Sequence, residues 1–277
     1  MIFAIPPLVA EPIFHIGSFP VTNAYINSCI AVVFFLVAGF FLRTKTALIP
    51  RGFQNFAEAV LEFLLKYVDQ VTHDRRKSMK FLPIVGGIFL FILFSNYLGL
   101  LPGVGSIGRY LSVHGETELV PLFRSANSDL NLTLAMAVFA VFFSHILGIV
   151  AIGFFRYANK FIKIGDVVKS FSHGGISIMT AFIEFGVGLL EIVSEIAKLV
   201  SLSFRLFGNV FAGEVLLTIM AGLFAYFVPL PFIFLELIVG LIQAVVFAML
   251  TLVYLTMATA AVHEPAHPAS AEASAGR

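Results

Sequence analysis

The chain has 277 residues, a formal net charge of +1, 59% hydrophobic residues and only 12% charged ones. Soluble globular proteins carry roughly 25% charged residues, so this composition excludes a water-soluble core and makes lipid the solvent. The net charge of +1 says nothing about nucleic acid, and with no Lys/Arg cluster interleaved with aromatics no nucleic-acid partner is expected; the single Cys29 excludes an intrachain disulfide and a cysteine-rich metal site.

Residues 1–20 carry no basic segment, and Pro6, Pro7, Pro12 and Pro20 interrupt any apolar helix there, so no cleavable leader is expected. Five long apolar stretches follow, at 24–42, 81–102, 129–155, 174–227 and 231–262. Each is long enough as a helix to cross a hydrocarbon core of about 30 Å. The fold class expected is an all-α integral membrane protein, one membrane domain over 1–277 with about five embedded helices. Between the first two stretches, residues 51–72 place Phe53, Phe56, Val60, Phe63, Leu64 and Tyr67 at three- and four-residue spacings. Gln54, Glu58, Glu62, Lys66 and Asp69 take the other face. That pattern predicts an amphipathic helix lying in the membrane interface. The tail 263–277 is small and polar and is expected to be disordered.

Basic residues set the orientation. Segment 43–80 holds eight Lys/Arg, segment 156–169 holds four, and the loop 103–128 holds two, Arg109 and Arg124. The excess puts 43–80 and 156–169 on the cytoplasmic side. Five crossings then place the N-terminus outside and the C-terminal tail in the cytoplasm.

The fourth stretch is too long for one perpendicular crossing. It contains no proline, and about 50 helical residues rise about 75 Å. Either it breaks, with Gly208-Asn209 a candidate turn, or it lies steeply tilted. It also carries most of the membrane-depth charge. At 3.6 residues per turn, Glu184, Glu191, Glu195, Lys198, Leu202, Arg205 and Asn209 fall within roughly 80° of one another. Glu214 points elsewhere. On the last stretch, Glu236 and Gln243 share a face. Such residues are costly in lipid and mark functional sites. Glu191 or Glu195 can pair with Lys198. Arg205 has no acidic residue three or four positions away, so its permanent charge needs water or another chain's carboxylate. Glu214 and Glu236 read as unpaired carboxylates on consecutive helices. His145 and His173 give no metal spacing, and no phosphate-binding glycine loop occurs, so no metal, cofactor or direct nucleotide binding is expected. A transporter built on inverted repeats is disfavoured by the lack of internal symmetry.

The run SLSFRLFGNVFAGE at 201–214 resembles the signature of the a subunits of F-type ATP synthases. LIQAVVFAMLTLVYLTMA at 241–258, SANSDLNLTLAMA at 125–137 and NYLGLLPG at 96–103 extend the resemblance in order along the chain. The resemblance implies that the last two stretches form a long hairpin tilted nearly flat in the membrane, without a turn at Gly208. It implies a stator subunit of the proton channel in a bacterial inner membrane, partnered by the ring of c subunits and by b-type peripheral stalk subunits. Arg205 then takes the position of the essential arginine. Asn209, Glu214 and Gln243 match channel positions, and Glu191 matches an acidic position near the cytoplasmic exit. Glu236 stands where some members have His, making Glu214 and Glu236 a carboxylate relay. Gly99 stands where some members have a carboxylate, which removes that group from the path here.

Overall fold

The computed structural model describes residues 7, 9–44, 47, 49–101, 104, 107–113, 116–161, 175–223 and 227–260. The expected disordered tail, 263–277, lies outside them. Among the described residues, seven α-helices run in chain order: α1 (Asn23–Thr44), α2 (Phe53–Thr72), α3 (Arg75–Gly99), α4 (Leu130–Ile152), α5 (Phe154–Phe161), α6 (Gly175–Leu223) and α7 (Pro229–Thr259). Five of them, α1, α3, α4, α6 and α7, are long and apolar enough to cross a membrane. The molecule is therefore an all-α integral membrane protein with an additional amphipathic helix, α2.

The sequence reading missed two short β-hairpins. Strands β1 (Pro12–Ile16) and β2 (Phe19–Thr22) pair antiparallel around Gly17, and β3 (Gly108–Val113) pairs with β4 (Glu116–Pro121). Gly17 has a φ of 65°, a left-handed value that suits glycine in the tight turn. Isolated two-stranded hairpins are marginal, and these lean on the bundle. Asn23 Nδ2 at the start of α1 donates to the carbonyl of Pro121 at the end of β4, 3.3 Å away.

Helix α6 is continuous over 49 residues and passes through Gly208-Asn209 without a break. Of the two readings left open by its length, the unbroken helix is the one observed. It pairs with α7 as a hairpin. Amphipathic α2 buries Leu64 and Val68 against α3 and α7 and leaves Phe53, Phe56 and Phe63 exposed. The phenylalanines are thus the outward stripe, and the aliphatic residues make the contact. The α2–α3 corner is closed by an ion pair between Arg75 and Asp69 and by Asp74, whose side chain caps α3.

The core lies where α3, α4, α6 and α7 meet, around Ile92, Ala140, Leu202, Leu206, Phe247 and Leu252. Small residues let backbones approach, as is usual between helices in lipid. A Cβ on Gly240 would lie 3.3 Å from Asn96 Cβ, and Asn96 Nδ2 donates to the Gly240 carbonyl at 3.1 Å. Asn127 Nδ2 in turn donates to Asn96 Oδ1 at 2.7 Å. This buried amide chain fixes the short 3₁₀ turn Ala126–Ser128, which packs among α1, α3, α4 and α6. A buried amide with partners holds register; one without would cost more than it contributes.

Candidate functional site

The polar residues singled out in the sequence separate into three groups along the α6–α7 hairpin. The first is the pair of relay carboxylates. Glu236 on α7 presses its carboxylate against the backbone of Gly213, where any Cβ would collide with both oxygens and the carboxyl carbon. Gly213 adjoins Glu214 in the chain, and the Glu214 carboxylate turns instead to Arg124. Only a hydrogen at 213 leaves the Glu236 carboxylate where it stands; a larger side chain would push it aside.

The expectation that Glu214 is unpaired is wrong. Arg124 Nε lies 2.9 Å from Glu214 Oε1 and 3.0 Å from Oε2. Arg124 is buried, stacks its guanidinium over Phe211 at 5.9 Å, and has its carbonyl held by Asn27 Nδ2 at 2.7 Å. Its Nη1 and Nη2 are buried with no hydrogen-bond partner. The sequence reading counted Arg124 as one of two loop charges. Its partner stands ninety positions away, and no local spacing reveals such a pair. The signal available was its place immediately before the SANSDLNLTL segment that seals the bundle.

The second group centres on Arg205. It is exposed, and among the described residues it makes no ion pair; its hydrogen bond runs to Ser201 Oγ at 3.5 Å, one turn back on its own helix. Along the hairpin, Val200 and Phe204 on α6 and Phe234, Leu241 and Ile242 on α7 are all exposed. One turn further along α6, Asn209 Nδ2 donates to Gln243 Oε1 at 2.8 Å and ties the two helices together. Gln243 is buried, and its Nε2 has no partner.

The third group lies toward the start of α6. Lys198 Nζ is 2.7 Å from Glu195 Oε1, which is the ion pair expected for one of the two glutamates. Lys198 also sits 5.4 Å from the centre of the Tyr254 ring on α7. Glu195 Oε2 approaches His145 Nε2 on α4 at 3.7 Å, so His145, which the sequence left without a role, belongs to the site. Glu191 is half-buried on the same helix. The side chain of Glu184 lies outside the described residues. Among the described residues no group of His, Cys, Asp and Glu is arranged to hold a metal ion.

The described polar groups thus flank a lone exposed arginine, with carboxylates on either side of it along one hairpin. Such an arrangement can pass protons toward and away from a charge that stays fixed.

Known proteins resemble the chain along most of its length. The family described as ATP synthase A chain matches residues 25–256. A protein of Campylobacter concisus named ATP synthase subunit a is 33% identical over 232 residues, covering 84% of this chain and 87% of that protein. One of the same name from Campylobacter jejuni subsp. doylei is 32% identical over 246 residues, 89% of this chain and 88% of the relative. One from Moorella thermoacetica is 30% identical over 244 residues, 88% of this chain and 93% of the relative.

Proposed function

Since the chain belongs to the ATP synthase A chain family, we propose that it is the stator half of the proton path in a rotary ATP synthase, with Arg205 facing a carboxylate on a rotating ring of c subunits. At the coarser level, the chain is a multi-pass, proton-translocating Fo subunit that carries no catalytic site; nucleotide chemistry resides in the F1 sector.

The observation that carries the finer reading is the state of Arg205: exposed, without a carboxylate partner among the described residues, and carried on a hairpin with exposed apolar side chains. An arginine at membrane depth without a counter-charge is unfavourable. A carboxylate on a neighbouring chain supplies one. Neutral, each ring carboxylic acid can turn through lipid; ionised, it cannot, because an unpaired charge in hydrocarbon is too costly. Arg205 stabilises the ionised form and stands between two half-channels. Glu214 and Glu236, with Asn209 and Gln243 beside Arg205, line the outer one. Glu191 and Glu195, with Glu184, line the cytoplasmic one. Protons enter by the first, ride the ring and leave by the second. Each is driven by about 2.3 kcal/mol per 100 mV.

The same reading places the chain in a bacterial inner membrane, N-terminus outside and C-terminus cytoplasmic, with b-type stalk subunits as further partners. It also makes the hairpin lie tilted against the ring, which lets 49 helical residues fit the bilayer. Cysteines at Val200 and Phe204, in a background lacking Cys29, test the contact. Oxidation of the intact complex is expected to cross-link them to cysteines flanking the c-subunit carboxylate. An intact complex giving no a–c cross-link from either position would refute the reading.

A further inference from the structure

At the α5 end of the bundle four helices bring ionisable side chains together in a cluster that the reading above uses only in part. His145 from α4 has its Nδ1 2.6 Å from the hydroxyl of Tyr157 on α5. Its Nε2 lies 3.7 Å from Glu195 Oε2 on α6, and the other oxygen of that carboxylate is 2.7 Å from Lys198 Nζ. Lys198 is covered by the ring of Tyr254 on α7. We propose that His145 is a further proton-carrying residue, taking a proton from Glu195 and passing it toward Tyr157 at the mouth of the cytoplasmic half-channel. This rests on the proton path proposed above.

The local backbone is built to hold this contact. Gly153, between α4 and α5, has a φ of 95°, a value that L side chains rarely adopt, and the chain turns there so that α5 packs back on α4 and α6. Gly148 lies one turn from His145. A Cβ there would run into the Tyr157 ring and lie 2.8 Å from the Ala258 carbonyl. Both glycines therefore serve to bring Tyr157 against His145. Tyr157 is itself buried.

The transfer balances. Protonated Glu195 gives its proton to the unprotonated Nε2 of a neutral His145 carrying hydrogen on Nδ1. The product is an imidazolium beside a carboxylate, with Lys198 as the second counter-charge. The Nδ1 proton then passes to the Tyr157 oxygen as the hydroxyl proton moves on to water, which leaves the neutral ring with its hydrogen on Nε2; loss of that hydrogen to water and uptake of one at Nδ1 restore the starting tautomer. Tyr157 acts as a neutral relay, since burial first, then the charges of Glu195 and Glu191, push its hydroxyl up to about 12. Imidazole suits the step because its charge changes near neutral pH. The groups that bear on it are Tyr157 from α5, Glu191, Glu195 and Lys198 from α6, and Tyr254 from α7.

The test uses vesicles carrying the intact complex, with proton flux measured against internal pH. His145→Gln is expected to slow flux about a hundredfold, the lower end of what a positioned proton-transfer group contributes. It should also change how flux depends on pH. Tyr157→Phe keeps the ring and loses only the hydroxyl, so it should alter the pH profile even if His145→Gln does not assemble. Adding Glu195→Gln to His145→Gln should slow flux no further, because the two residues act in series. Parental flux and pH profile in either assembled single variant would overturn the proposal. Arg205→Ala in the same vesicles separates the two readings: a proton leak there with parental behaviour at His145 rejects this inference alone.

Discussion

Arg124 and Glu214, ninety positions apart, form a largely buried ion pair that joins the segment before α4 to the C-terminal part of α6. Removing one member of a buried pair costs about 3–5 kcal/mol, whereas replacing both by apolar residues is often neutral. Arg124→Leu alone is therefore expected to lower the yield of assembled complex. Arg124→Leu with Glu214→Leu should restore yield but not proton flux. Co-purification of c subunits and vesicle flux read the two effects separately. A double variant as poorly assembled as the single one would show that the pair has another structural role.

The contact of Glu236 with Gly213 makes a kinetic prediction. In Gly213→Ala the new methyl meets the end of a flexible side chain, so Glu236 can swing aside at little structural cost. Assembly should be close to parental and proton flux markedly slower. Glu214→Leu and Glu236→Leu should each slow flux as well. Full flux in all three variants would remove the carboxylates from the path.

Topology can be read from α2. With Cys29 replaced, since that thiol is exposed, cysteines at Gln54 and Lys66 should react with an impermeant thiol reagent from the cytoplasmic face only. Labelling from the outer face would invert the orientation drawn from the Lys/Arg bias.

The parts of the fold that were legible in the sequence are those with local causes. Helix spans follow from apolar runs, α2 from its periodicity, and the Lys198–Glu195 pair from a three-residue spacing. Arg205 stood out because its neighbours at helical spacing lack charge. What was not legible depends on tertiary meeting points. Arg124 looked like a loop cation until the 3₁₀ turn carried it under α6, and His145 looked isolated until Gly153 turned Tyr157 back onto it. The hairpins were hidden by prolines that break helices and can still sit at strand edges. Gly208-Asn209 read as a possible turn, yet the helix continues, because surrounding packing outweighs a single glycine's penalty of about 1 kcal/mol.

Arg205 is the centre of the account, and charge and geometry can be separated there. Arg205→Lys keeps a cation but one that is strongly hydrated and deprotonates readily when buried. It is expected to assemble and to lose coupled synthesis.

The most direct measurement is proton uptake and ATP synthesis by vesicles carrying Arg205→Ala, with assembly checked by c-subunit co-purification. The account predicts an assembled complex that makes no ATP and leaks protons passively through its Fo sector, because nothing then separates the two half-channels. Fully assembled Arg205→Ala vesicles that synthesise ATP at the parental rate would contradict it.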